Sequence, residues 1–235
     1  MNQQTEPART EPVWELLQLL FKAHPWHGVS IGTDSPDVVT AYIEVVPSDT
    51  IKYELDKESG LLKIDRPQAY SNICPTLYGM IPQTFCGDHV ADFCKQKTGL
   101  KEITGDNDPL DICILSEKIV SHGDILLQAR PIGGLRMIDG GEADDKIIAV
   151  LKDDAAYGNW TNIDSCPESM INRLKHYFLT YKQAPGQTHR ECEITHTYGR
   201  EEAVEVIQLA YADYLQRFAH LKDLLTIALR GDLGT

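Results

Sequence analysis

Three carboxylates fall within six residues at Gly105-Asp106-Asn107-Asp108-Pro109-Leu110-Asp111, where a polar stretch runs into an apolar one. Carboxylates this close raise one another's pKa unless a cation sits among them, and hard oxygen ligands select magnesium, manganese or calcium over zinc. An Asp-rich turn is the plain alternative, since Asp, Asn and Pro are all turn formers. An EF-hand calcium loop matches at Asp106, Asp108 and Glu117. It fails at Leu110, which stands at a ligand position, and at Asp111, where the sharp-turn glycine belongs. A second acidic group, Asp139-Gly140-Gly141-Glu142-Ala143-Asp144-Asp145-Lys146, reads alone as an ordinary turn between strands. Two acidic turns in one domain point to a multi-metal site. There, ions clamp a phosphoryl group and lower the pKa of water while a nearby carboxylate takes its proton.

The elements that must position these groups are mainly β. Val39, Ala41, Ile43 and Val45 alternate with other residues, 51–55 follows, and Asp56-Lys57-Glu58-Ser59-Gly60 is a turn into 61–64. Further strands are expected at 110–115, 125–131, 135–138 and 147–151, a spacing that favours a closed or nearly closed barrel. Residues 87–105 are polar without clear periodicity and are expected to form a long loop delivering the chain to the aspartates. Pro167 suits the first turn of a helix reaching 182, and 200–230 holds neither Gly nor Pro before Gly231. Trp14, Leu16, Leu17, Leu20 and Phe21 form a short helical pattern ahead of Pro25. The expected organisation is a tail and short helix over 1–25, a barrel domain over 26–190 with a helix at 167–182, and a C-terminal helix within 191–235 packed on the same domain. Val204, Ile207, Tyr211, Tyr214, Phe218, Leu221, Leu225 and Ala228 repeat at spacings of three and four. That stripe either packs on the barrel or mates in part with another subunit. His189-x-x-Cys192-x-x-x-His196 lacks a fourth ligand in a polar connecting segment and is read as chance.

Composition narrows the function. The chain has 235 residues, 42% of them hydrophobic, enough for one core of generous size, and a formal net charge of -13. That charge argues against nucleic acid and anionic membrane as partners, and against an oligonucleotide-binding barrel, so an anionic substrate needs local cations or metals. The polar N-terminus and the lack of a long apolar run predict a cytoplasmic protein. Six scattered cysteines without a C-x-x-C pair are read as reduced thiols.

The dispersed motifs also match in order. With D-x-D-P-x-D at Asp106 to Asp111 come Ile43-Glu44-Val45, Ile51-Lys52-Tyr53-Glu54-Leu55, Asp65-Arg66-Pro67, Tyr78-Gly79, the acidic turn at 139–146, and His176-Tyr177-Phe178 through Tyr181-Lys182. Over 26–182 the chain resembles the soluble inorganic pyrophosphatases of the metal-dependent β-barrel type, family I. The resemblance implies an α+β fold, mainly β with flanking helices, built on a five-stranded OB-like barrel with a long C-terminal helix. It implies hydrolysis of pyrophosphate to two phosphates with three or four Mg²⁺ ions; Mn²⁺ is expected as a substitute metal, and the C-terminal stripe is the ground for expecting a homo-oligomer. Asp106, Asp111 and Asp144 would hold the activating metals, with Asp139 and Glu44 on those carried by the substrate. Asp108 would be the general base, accepting a proton from a water that bridges two metals. Lys52, Arg66, Tyr78, Lys146, Tyr181 and Lys182 would bind the phosphates, and Glu54 would support that cationic side. Cys74 and Met80 depart from the aromatic residues that flank this tyrosine in many relatives.

The chemistry asks for such a set on its own terms. Phosphoryl transfer is mostly positioning and charge neutralisation, so cations are needed on the leaving phosphate as well as metals on the nucleophile. Arg66 can fork two phosphate oxygens, Lys52 and Lys182 act as point charges, and Tyr181 donates a hydroxyl. A catalytically silent phosphate-binding barrel is the rival; a carboxylate placed to deprotonate water, as Asp108 would be, is a group it does not need.

Overall fold

In the computed structural model the described residues are 22–184, 186 and 192–230, with side chains described as far as Leu221 in the last helix. The helix expected around Trp14 and the residue His189 lie outside them. The strands, in chain order, are β1 (Val39–Val45), β2 (Ile51–Leu55), β3 (Leu62–Pro67), β4 (Leu77–Met80), β5 (Thr104–Gly105), β6 (Asp111–Leu115), β7 (Ile125–Asp139), β8 (Glu142–Ala143), β9 (Lys146–Leu151) and β10 (Cys192–Gly199). The helices are α1 (Asp88–Thr98), α2 (Glu168–Thr180) and α3 (Arg200–Arg230), with one turn of 3-10 helix at Ile163–Ser165.

β1 pairs with β4, β4 with β6, β6 with β9, β9 with β7, and β7 returns to β1, which closes a ring of five strands. Closure leaves no edge within the ring, and of its five pairings the β6–β9 one is parallel. Ile43, Ile112, Ile147 and Ala149 are fully buried inside it, as the alternation in β1 predicts. The hairpin β2–β3 stands apart from the ring and turns at Gly60, whose φ of 70° suits a residue without a Cβ.

Three expectations need correction. Residues 125–131 and 135–138 are one 15-residue strand, β7, and Gly133 and Gly134 do not interrupt it. A Cβ on either would lie 2.4 Å from Tyr198 of β10, so the glycines serve close approach, and the register shift beside Gly133 bends the strand around the barrel. Residues 87–105 are not a long loop. They contain α1, which buries Val90, Ala91, Phe93 and Cys94 and ends at Gly99 in the left-handed region with φ 76°. Those buried residues span little more than one turn, too few for a legible period. Residues 192–199 are not a connecting segment but the strand β10, antiparallel to β7; only Cys192 and Tyr198 in it are buried, so it lacks a clean alternation.

The helix expected at 167–182 runs Glu168–Thr180, leaving Tyr181 and Lys182 just past its end. α3 spans 31 residues and packs on the barrel and on α1 through Ala203, Val206, Ile207, Ala210 and Tyr214. That buried face is turned from the expected one: Val204 and Tyr211 are half-buried, and Leu215 and Leu221 face outward.

Candidate functional site

An open cleft of about 220 Å³ lies at one end of the ring, and every residue expected in a catalytic, metal, phosphate or supporting role lines it. β1 brings Glu44, the hairpin β2–β3 brings Lys52, Glu54 and Arg66, and β4 brings Tyr78. The turn from β5 to β6 brings Asp106, Asp108 and Asp111, the turn from β7 to β9 brings Asp139, Asp144 and Lys146, and the end of α2 brings Tyr181 and Lys182.

Local sequence explains the placement of the carboxylates. Asn107 takes a left-handed φ of 61°, which Asn tolerates, and Asp106 Oδ1 accepts a hydrogen bond from the Asp108 N–H at 2.9 Å, an Asx-type turn. β6 runs parallel beside β9 with Asp111 opposite Lys146, so the two acidic turns meet at the same end of the ring. In β4 and β6, Tyr78 and Asp111 are brought within reach, and the Tyr78 hydroxyl donates to Asp111 Oδ2 at 2.6 Å. Cross-strand pairing of Lys52 with Arg66 puts two cations on one face of the hairpin, with Asp65 3.0 Å from Lys52 and also paired to Arg66.

The site concentrates charge at low exposure. Burial pushes the Asp106 carboxyl up to about 8, with Asp144 adding repulsion. Burial also raises Asp144, against the pull of Lys146. Glu44 is 7% exposed, and burial lifts its carboxyl to about 8 although it accepts the Leu55 N–H at 2.7 Å. Burial works to raise Asp139, but its pairing with Lys182 prevails and holds it below the ordinary range. Lys146, 3% exposed, pairs with both Asp111 and Asp144. Lys57 pairs with Asp108. Arg66 and Lys182 both lie over the Tyr181 ring, 5.7 Å and 5.5 Å from its centroid.

The donor set fits a hard dication. Among the described residues no three Asp, Glu, His or Cys side chains stand as a ready metal cage, and lysines pair with these acids: Lys146 with Asp111 and Asp144, and Lys57 with Asp108. Buried oxygen ligands held above their ordinary pKa by burial and mutual repulsion are what a divalent ion relieves. Sequence reasoning quoted Lys57, Asp65 and Glu142 without assigning them. Lys57 and Glu142 line the cleft and Asp65 pairs with two of its cations. Their only signal was adjacency to the assigned residues, since Lys57 and Asp65 act through pairings that the fold creates and Glu142 enters only by lining the cleft.

A sequence profile described as inorganic pyrophosphatase matches residues 41–215. The chain is 52% identical over 199 residues to an inorganic pyrophosphatase of Chlamydia muridarum, covering 83% of this chain and 95% of that one. It is 36% identical over 196 residues to soluble inorganic pyrophosphatase 1 of Arabidopsis thaliana, covering 82% of each. Among solved structures, the inorganic pyrophosphatase of Thermus thermophilus aligns with a TM-score of 0.68 at 27% identity, over 82% of this chain and 99% of that one.

Proposed function

The chain belongs to the inorganic pyrophosphatase family, and on that premise we propose that it hydrolyses pyrophosphate to two phosphates in this cleft with Mg²⁺, Mn²⁺ serving as a substitute. The observation that carries the reading is the convergence of Asp106, Asp108, Asp111, Asp139, Asp144 and Glu44 opposite Lys52, Arg66, Tyr181 and Lys182 in one cleft. Asp106, Asp111 and Asp144 would hold activating metal, and Asp139 and Glu44 would serve the metal carried by the substrate. Bound Mg²⁺ supplies charge neutralisation of the phosphates and a lowered pKa for the attacking water.

Asp108 takes the proton of that water. Its side chain is 44% exposed, open to solvent beside the buried acids, as a base that must pass its proton on requires. Arg66 grips two oxygens of one phosphoryl group, Lys52 and Lys182 add point charges, and Tyr181 donates a hydroxyl. Lys146, held by Asp111 and Asp144, and Tyr78, which donates to Asp111, would also meet the phosphates. Glu54, 3.4 Å from Lys52, orients that ammonium. The whole arrangement is preorganised charge, the main lever available for phosphoryl transfer.

A cytoplasmic address and a homo-oligomeric state belong to the same proposal. The six cysteines are all buried and unpaired, as in a reducing compartment, and Leu215 and Leu221 stand exposed on the outer half of α3 as a surface for a second subunit. No helix among the described residues is long and apolar enough to cross a membrane.

The test is phosphate release from pyrophosphate with Mg²⁺, with chelator, and with Asp108→Asn. Release should require Mg²⁺ and fall roughly 10²- to 10⁴-fold in the variant. A folded, metal-loaded wild type that releases no phosphate overturns the reading in favour of a phosphate-binding barrel.

A further inference from the structure

α1 has no side chain of its own to cap its first turn: Gly87 precedes it and contributes only backbone. The first N–H groups of a helix need partners, and here they come from α3. Asp213, 4% exposed, accepts from the N–H groups of Gly87 at 3.0 Å and Val90 at 3.2 Å through Oδ2. Its Oδ1 accepts from the His89 N–H at 3.1 Å and lies 2.6 Å from His89 Nδ1. A carboxylate at the positive end of a helix, with this many donors, is a firm anchor.

The segment it anchors leads straight to the aspartate turn. The Cys86 N–H donates to the Asp108 carbonyl at 2.8 Å, and the Cys86 carbonyl accepts from the Asn107 N–H at 3.1 Å. The Leu110 N–H donates to Thr84 Oγ1 at 2.9 Å. On the other side, the Phe85 N–H donates to the Ala210 carbonyl of α3 at 2.9 Å. Residues 84–87 are therefore a strap with α3 on one side and the turn bearing Asp106 and Asp108 on the other. There is no slack between strap and turn: a Cβ on Gly105 would lie 2.1 Å from the Cys86 carbonyl oxygen. Asp108 itself is half-exposed and its carboxylate meets only the Lys57 ammonium among the ion pairs of the described residues, so the backbone of the turn sets where the carboxylate starts from.

We infer that Asp213 is a positioning residue for Asp108, acting through the capped start of α1 and the Cys86 backbone. The inference rests on the proposed role of Asp108 as base, and the hydrogen-bond path from α3 to the turn stands independently of it. Loss of the anchor lets the strap shift, and a base displaced by a fraction of an ångström loses rate without losing the substrate cations, which sit on β2, β3 and the end of α2.

The experiment compares Asp213→Ala, Asp213→Asn and a core control on the same helix, Ile207→Ala, in the full chain. Amide hydrogen exchange across 84–87 and 106–108 is read beside kcat, KM for Mg-pyrophosphate and melting temperature. Asp213→Ala is expected to lose roughly 10- to 100-fold in kcat with KM unchanged and to exchange faster in those two segments. Asp213→Asn, whose amide oxygen still accepts, should lose several-fold, and Ile207→Ala should lower the melting temperature with kcat preserved. A folded Asp213→Ala with wild-type kcat overturns the proposal, as does an equal kcat loss in Ile207→Ala at a matched melting temperature. Should Asp213→Ala not fold, Asp213→Asn decides by the same two readouts, and wild-type values in it overturn the proposal. A wild type without pyrophosphatase activity defeats the functional reading instead, and exchange still decides whether α3 holds the turn.

Discussion

The Tyr78 hydroxyl donates to Asp111 Oδ2 at 2.6 Å, tying the middle of one barrel strand to the first residue of the next. The same carboxylate meets Lys146, so two donors fix one proposed metal ligand from opposite elements. Tyr78→Phe keeps the ring packed against Phe178, whose centroid is 6.0 Å away, and removes only the hydroxyl. A hydrogen bond to a charged group contributes about 1.5–3 kcal/mol. Part of that holds Asp111 in place, so Mg²⁺ affinity measured by calorimetry should weaken about 10-fold, the lower end of what lost second-sphere support costs. Unchanged affinity in the folded variant would show that Lys146 alone suffices.

The pH dependence follows from the buried acids. Asp106 and Glu44 are each raised to about 8, mainly by burial, and Asp144 is raised as well. A carboxyl whose folded pKa exceeds its unfolded one stabilises the fold below the unfolded pKa and loses that contribution as pH rises through the folded value. Chelator-treated protein should therefore lose stability between about pH 4 and pH 8, and Mg²⁺ should restore more of it at the alkaline end. Melting temperatures with and without Mg²⁺ at several pH values check the trend. Proton release on Mg²⁺ binding near pH 7, read by calorimetry in buffers of different ionisation heat, checks the cause.

The acids and cations that line the cleft were legible because each advertises itself locally: Asp106, Asp108 and Asp111 crowd one turn, and Lys52 and Arg66 sit in strand patterns. What stayed hidden depends on distant partners. The start signal of α1 is Asp213, 126 residues from Gly87, so no local pattern could mark a helix there. Lys57 matters through its ion pair with Asp108, which exists once the hairpin turn reaches the aspartate turn, and Asp65 through its pairs with Lys52 and Arg66, which need the β2–β3 pairing. Gly133 and Gly134 imitate a turn, and their real role, room for Tyr198, needs β10 in place.

Gly79 tests the barrel's closure beside the site. It lies opposite Ile43 in the β1–β4 pairing, and a Cβ there would stand 1.9 Å from the Tyr42 carbonyl oxygen, a backbone atom that cannot step aside. Gly79→Ala must push β4 from β1, separating Tyr78 from Glu44. Destabilisation of about 3 kcal/mol or more is expected, the upper end of overpacking costs, and urea unfolding measures it. A loss under about 1 kcal/mol would mean the strands shift freely.

Arg136 and Asp145 provide the last test, since they form a wholly buried ion pair, 3.2 Å apart, with Asp145 next in sequence to Asp144 of the cleft. The Arg136 guanidinium lies 5.0 Å from the centroid of Phe93 and 5.2 Å from that of Tyr198, and also meets Glu202 at 2.8 Å, so it joins α1, β10 and α3 to β7. Burial pushes Asp145 up to about 7, with Arg136 pulling the other way. In Arg136→Met that pull is gone, and Asp145 must either take a proton or stay buried as an unpaired charge. Removing one partner of a buried pair costs about 3–5 kcal/mol. The cost should be largest near pH 8, where Asp145 is ionised in the unfolded chain and resists ionisation in the fold, and smaller near pH 6, where its proton comes readily. Urea unfolding at the two pH values measures both; a loss independent of pH would place the damage in lost packing against Phe93 and Tyr198 rather than in the orphaned carboxylate.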